Sequence, residues 1–205
     1  PALHRELLGR LRAQNAFIVG YAGALGTANA MDRLVSSLQR TDPSVHLVAV
    51  GEGEKRSALQ GLAQQLGVAE RLHLLPPVSR EQVATLLAAV DVAYAGLRGG
   101  RLYGLGAGLT KLNDYLLAAR PVVYAGADPG NAIELSGAGV CADPDDIGAI
   151  ASAIETLRAM PEGERRALGE RGRVWCLQNR LPARQAAAIL HALAGLPESG
   201  ELPAD

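Results

Sequence analysis

The chain has 205 residues, enough for one full hydrophobic core, and a formal net charge of −1. At 48% hydrophobic residues it is too apolar for a disordered chain, and its balanced charge and 3% aromatics exclude the basic, base-stacking face of a nucleic-acid platform. No apolar run reaches the roughly 18 residues of a membrane span, and the opening residues do not read as a signal peptide.

Residues 2–13 carry apolar side chains at helical spacing. The start at Pro1 reads as a chain cut from something longer, although a processed N-terminus would read the same way. AFIVGYA (16–22) is an apolar strand that ends in a glycine-rich turn. A helix is predicted over 28–40, with Met31, Leu34, Val35 and Leu38 on one face. VHLVAVG (45–51) is the second strand, followed by a helix over about 54–67. RLHLL (71–75) is a short strand that runs into Pro76-Pro77. Ser79 with Gln82 forms a capping box for a helix over 80–89. VDVAYAG (90–96) is the fourth strand, and the loop LRGGRLYGLGAG (97–108) leads into a helix over 109–119. PVVYAG (121–126) is the fifth strand. A short helix (131–136), a strand near 138–142 and helices over 145–159, 162–178 and 182–194 complete the prediction.

Apolar strands alternating with helices imply an α/β fold: a doubly wound, parallel, Rossmann-like sheet of about six strands with C-terminal helices, spanning 1–205 as a single domain. Ligands in such sheets bind beyond the carboxyl ends of the strands, which directs attention to a few loops.

Gly20-x-x-Gly23-x-x-Gly26 lies between a strand and a helix. It would suit a phosphate, or be a tight turn with no ligand. Glu52, between Gly51 and Gly53, could meet a ribose or be a solvated turn. Only Lys55 and Lys111 are lysines, so each position bears examination. Lys55 sits among charges and reads as surface. Lys111 opens a helix behind a glycine-rich loop, with Asp114 one turn on. The lysine suits a diphosphate and the carboxylate suits ribose hydroxyls; alternatively they are an ordinary surface pair. Asp143-Pro144-Asp145-Asp146 reads as a helix cap, and His46 and His73 on strands read as structural. Cys141 and Cys176 have no metal-type spacing, so a reduced, cytosolic protein without a metal is expected.

The string TKLNDYLLAARPVVYAG (110–126) resembles the donor-site segment of family 4 glycosyltransferases of the GT-B class, above all a bacterial polysaccharide subgroup with "NKLFDYMAAGRPVV"-like segments. GYAGALGTANAMDRL, VAVGEGEKRSALQGLA, RLHLLPPVSREQVATLLAAVDVAYAGL and GAGVCADPDDIGAIASAI are similar to further segments of that subgroup, in the same order. The resemblance covers roughly residues 16–160 and implies one half of a GT-B fold: the C-terminal, donor-binding domain of a retaining glycosyltransferase in cell-surface polysaccharide synthesis. It implies a nucleoside-diphosphate sugar as substrate, uridine-linked, and a partner N-terminal domain for a lipid-linked or sugar acceptor. No cofactor, metal or nucleic acid is implied. The expected location is cytoplasmic, with a peripheral place at the inner face of the membrane open to the full-length enzyme.

Carried over residue by residue, Lys111 would contact the diphosphate and Asp114 the ribose. The backbone N–H groups of Leu109 and Thr110 would bind phosphate, the backbone at Pro77-Val78 would receive the base, and Gly23 and Ala24 would face the diphosphate or sugar. No catalytic residue is assigned. The first glutamate of the family's Glu-x7-Glu motif falls on Gly106, and the first-loop cations of many members fall on Ala24 and near Asn29. Arg98 or Arg101 would then assist Lys111. An NAD-dependent oxidoreductase or epimerase stays open as the alternative, although no Tyr-x-x-x-Lys pair or P-loop supports it. A non-catalytic domain derived from the same fold also stays open.

Overall fold

The structure is a computed structural model that describes residues 3–100 and 110–181. Its sheet has six parallel strands, β1 Phe17–Ala22, β2 Val45–Val50, β3 Leu72–Leu75, β4 Val92–Gly96, β5 Val122–Ala125 and β6 Gly139–Ala142, in the order β3-β2-β1-β4-β5-β6. The direction of winding therefore reverses between β1 and β4. Among the described residues eight helices cover the sheet: α1 Leu3–Ala13, α2 Met31–Ser37, α3 Arg56–Gln65, α4 Arg80–Ala89, α5 Thr110–Leu117, α6 Ala132–Ser136, α7 Ile147–Ala159 and α8 Glu162–Asn179.

The apolar run of β1 follows from burial on both faces. Phe17, Val19 and Tyr21 join a core with residues of α2, α3 and α7, while Ile18 and Ala22 join one with residues of α1, α4 and α5. Ser79 caps α4 in the expected box: its side chain accepts from the Gln82 N–H, and the Gln82 side chain accepts from the Ser79 N–H. Asp146 caps α7 by accepting from the N–H groups of Gly148 and Ala149.

One predicted element differs. The helix expected over 28–40 is a 3-10 turn Thr27–Asn29, then α2, then a second 3-10 turn Leu38–Arg40. Ala30, at φ 48°, breaks the run in the left-handed region before α2 begins. The four apolar residues of the predicted face are nonetheless all buried. The helix predicted over 182–194, most of the loop 97–108, and with it Arg101, Gly106 and Leu109, lie outside the described residues.

Three strands end in the same tripeptide, Tyr-Ala-Gly, at 21–23, 94–96 and 124–126. Side chains two apart on a strand share a face, so each tyrosine leans along the space where the glycine would carry a side chain. A Cβ on Gly96 would lie 2.2 Å from the Tyr94 hydroxyl, and one on Gly126 2.5 Å from that of Tyr124. The glycines make room for phenol groups beneath the carboxyl edge of the sheet.

Candidate functional site at the carboxyl edge of the sheet

The loops after β1 and β2 meet backbone to backbone. The Leu25 N–H donates to the Glu52 carbonyl (2.7 Å) and the Lys55 N–H to the Leu25 carbonyl (3.0 Å). Only glycine permits this approach: a Cβ on Gly51 would lie 1.9 Å from the Gly23 carbonyl oxygen. Glu54 fastens the far end of the first loop by accepting from the backbone and hydroxyl of Thr27 (3.1 and 3.2 Å). Hydrogen bonds from its own backbone and from Thr27 hold its carboxyl below the usual range.

Beside this double loop lies a cavity of about 310 Å³. Gly23 and Glu52 line it from the two loops, Pro77 and Val78 from the loop after β3, and Lys111, Asp114 and Tyr115 from α5. Tyr115 ties α5 to the end of β1, its hydroxyl accepting from the Ala22 N–H (3.0 Å) and donating to the Ala22 carbonyl (3.3 Å). The first two turns of α5 are thereby fixed against the cavity.

Lys111 and Asp114 share the cavity but do not pair. Asp114 is matched with Arg80 from α4 at 3.1 Å. The Lys111 ammonium donates instead to two neutral oxygens, Asn29 Oδ1 at 2.5 Å and Tyr21 Oη at 3.2 Å, and lies 4.7 Å from the centre of the Tyr21 ring. Among the described residues no carboxylate stands within ion-pair distance of it. Burial pushes its pKa down from 10.5 to about 8. Lys111 is thus a part-buried cation with neutral partners, and it does not form a surface pair with Asp114.

The remaining expectations sort as follows. Of the three glycines in Gly20-x-x-Gly23-x-x-Gly26, Gly23 alone lines the cavity. Gly20 is inside β1, where a Cβ would lie 2.7 Å from a Val90 methyl group, and Gly26 precedes the 3-10 turn. Ala24 is exposed, and its carbonyl accepts from Tyr21 Oη (2.7 Å) and Asn29 Nδ2 (3.0 Å). Thr110 is exposed at the start of α5. Arg98 does not assist Lys111: its guanidinium is committed to Asp32 (3.0 and 3.1 Å) and to the Thr27 carbonyl (2.9 Å). Lys55 is exposed, as expected. His46 and His73 form a stacked pair between β2 and β3, with ring nitrogens 3.1 Å apart. Among the described residues no three His, Cys, Asp or Glu side chains converge as a metal site, and no helix is long and apolar enough to cross a membrane. The sequence marked Asn29 only as a place near which many members carry a cation, and gave no sign that Tyr21 and Asn29 meet Lys111, 90 and 82 residues away.

A larger cavity, about 810 Å³, opens at the opposite, amino edge. Three of its arginines meet helix carboxyl ends. Arg12 donates to the Ala89 carbonyl, Arg120 to that of Val90, and Arg165 to those of Leu157, Arg158 and Met160. These contacts place positive charge at the negative ends of helix dipoles, while Arg12 also pairs with Asp91 and Arg158 with Glu155 and Asp42.

Sequence and structural comparisons give the family and the fold. The family model for group 1 glycosyl transferases matches residues 16–159. A GDP-mannose-dependent alpha-(1-6)-phosphatidylinositol monomannoside mannosyltransferase from Mycolicibacterium smegmatis is 30% identical over 170 residues, 82% of this chain and 44% of that protein. Anabaena HepE, solved in complex with UDP and glucose, superposes with a TM-score of 0.75 at 20% identity, over 96% of this chain and 53% of its own. The C-terminal domain of the group 1 family protein LpcC from Francisella tularensis superposes with a TM-score of 0.66 at 15% identity, over 86% of this chain and 93% of its own. At such identities the structural likeness establishes the fold. The chain spans less than half the length of the curated relatives it matches. With a family match over residues 16–159, more than half of its length, the chain belongs to the group 1 glycosyl transferases.

Proposed function

We propose that this chain is the donor-binding half of a retaining glycosyltransferase, and that the cavity between β1 and α5 takes the nucleoside diphosphate of a nucleotide sugar. The observation that carries this reading is Lys111: a part-buried ammonium without a carboxylate partner among the described residues, at the carboxyl edge where such sheets bind ligands. In this reading Lys111 faces the diphosphate and opposes the charge that develops on the leaving group. Asp114 accepts from ribose hydroxyls, the backbone at Val78 receives the base, and Gly23 lets the diphosphate approach. The backbone N–H groups of Leu109 and Thr110 complete the phosphate site, and Ala24 faces the diphosphate or sugar from the rim.

A uridine donor is favoured by the likeness to HepE with UDP, whereas the mannosyltransferase relative is named for GDP-mannose. Calorimetric titration with UDP, GDP and NAD tests the reading. UDP should bind, and with the same affinity in magnesium and in chelator, since no metal is invoked. GDP binding without UDP binding would change the base. NAD binding alone would replace the reading by an oxidoreductase, and no binding at all would leave a non-catalytic domain. A part in bacterial cell-surface polysaccharide synthesis, a lipid-linked or sugar acceptor held by an N-terminal partner domain, and cytoplasmic action at the inner face of the membrane belong to the same proposal.

A further inference from the structure

We propose that Asn29 is a positioning residue for the ligand's phosphates: its carboxamide clamps the Lys111 ammonium and the carbonyl of residue 24 together, so that the cavity's charge and its loop wall are set by one side chain. The proposal rests on the nucleotide-sugar reading of the cavity. The carboxamide is used at both ends. Its oxygen accepts from Lys111 Nζ at 2.5 Å, and its nitrogen donates to the Ala24 carbonyl at 3.0 Å. Tyr21 makes the matching pair of bonds from below, accepting from Lys111 Nζ and donating to the same carbonyl at 2.7 Å. Lys111, Asn29, residue 24 and Tyr21 therefore close a four-membered ring of hydrogen bonds around Gly23. Gly23 sits inside the ring at φ 152°, where a side chain would be strained, and a Cβ there would lie 3.1 Å from Tyr21 Oη.

The ring does two things that a lone lysine cannot do. It uses two of the three ammonium donors, leaving the third for a ligand. It also removes rotamer freedom that a long side chain would otherwise lose on binding. Asn29 can do this because it is neutral. A carboxylate in its place would hold the ammonium as firmly but cancel the charge an anion needs. The backbone supports the arrangement: Asn29 ends a 3-10 turn, and Ala30 turns left-handed directly after it.

The test is calorimetric titration of the full 205-residue chain with UDP and with uridine between pH 7.0 and 9.5. Among the described residues, the ionisable groups facing the ammonium are Tyr21 from β1, Glu52 from the loop after β2, and Asp114 and Tyr115 from its own helix. Asp114 is already matched with Arg80. Asn29→Ala should weaken UDP about tenfold and leave uridine unchanged, and should weaken UDP no further in a Lys111→Ala background. Asn29→Asp keeps the shape of the side chain. It should also weaken UDP, and should move the alkaline loss of UDP binding upward by about one pH unit, because a carboxylate beside Lys111 favours its charged form. A merely structural role for Asn29 would not move that inflection. If Lys111→Ala weakens UDP while both Asn29 variants bind it like the parent chain, the clamp is refuted and the nucleotide-sugar reading stands. If the parent chain binds neither UDP nor GDP, or binds its nucleotide independently of Lys111, both fall; if it binds GDP alone, the same titrations are read with GDP and guanosine.

Discussion

Lys111 is the residue at which stability and binding should conflict. Its ammonium has lost water without gaining a carboxylate among the described residues, and burial brings its pKa from 10.5 to about 8. The folded chain therefore releases this proton more readily than the unfolded chain. Between about pH 8 and 10.5 the unfolded state binds more protons, so this group's contribution to stability rises with pH there, and below pH 8 the full cost of the buried charge is present. Lys111→Met should thus stabilise the fold at pH 7 by roughly 1–2 kcal/mol while weakening UDP, with the gain shrinking as pH approaches 10.5. Chemical denaturation at pH 7 and 10 checks both signs; a destabilised Lys111→Met chain would mean that the ammonium is not desolvated as described. The sequence made Lys111 conspicuous because lysine is scarce, and its helical spacing placed Asp114 beside the same cavity. It could not show that Asp114 is matched with Arg80, nor that Asn29 and Tyr21 hold the lysine, since these contacts join separate elements. The Tyr-Ala-Gly repeats at three strand ends were legible in principle. Their meaning depends on a phenol filling the space above a glycine two residues along, which only the shared face of a strand reveals.

At the scale of elements, local chemistry was the most legible. The Ser79–Gln82 box and the Asp146 cap form as their spacing requires, because every partner lies within one helical turn. Packing between elements was not legible, as the contact of α8 with the end of α5 shows. There the chain turns left-handed at Ala119 (φ 51°), and α8 approaches so closely that a Cβ on Gly169 would lie 2.0 Å from the Ala119 carbonyl oxygen. Two opposite effects are expected at this corner. Ala119→Gly removes the left-handed cost of a side chain and should stabilise by about 0.5–1 kcal/mol. Gly169→Ala must push α8 away and should destabilise by about 1–3 kcal/mol. Urea denaturation of both variants settles the geometry, and a Gly169→Ala chain as stable as its parent would contradict the close approach. The histidine pair between β2 and β3 gives a third expectation. Burial first, then His46 and Arg10, lowers His73 from 6.5 to about 4, and burial followed by Arg71 lowers His46. Both bind protons more weakly folded than unfolded, so their stabilisation is complete above pH 6.5 and is lost as pH falls toward 4. His73→Asn should flatten the pH dependence of the denaturation midpoint across that window; an unchanged slope would assign the acid sensitivity to other groups.

At the scale of the whole molecule, alternation of apolar strands with helices was enough to foretell a doubly wound parallel sheet, because strands covered on both faces read as unbroken apolar runs. The break of the predicted 28–40 helix at Ala30 was not foretold, since alanine is ordinarily the strongest helix former and its left-handed turn is imposed by the loop that carries Asn29. The reversal of winding between β1 and β4 opens one crevice at the carboxyl edge, and β1, the loop after it and α5 supply the ring around Lys111 there. Every candidate residue among the described ones comes from the side expected to hold a donor. None of the described geometry supplies a second wall facing that crevice, and this chain covers 53% of HepE and 44% of the mannosyltransferase. The two tasks of a transferase should therefore separate. Binding needs only the cavity, whereas transfer needs an acceptor held within reach of the sugar, and the advantage of holding two reactants together is worth roughly 7–11 kcal/mol of barrier. The chain alone should bind UDP with the Lys111 dependence described above, yet move no sugar from a radiolabelled UDP-sugar to an added acceptor over hours. Slow hydrolysis of the donor to free sugar and UDP is compatible with that outcome, because water needs no acceptor site. Robust formation of a glycosylated product by residues 1–205 alone would refute the half-enzyme reading, and would place the acceptor site on this same sheet.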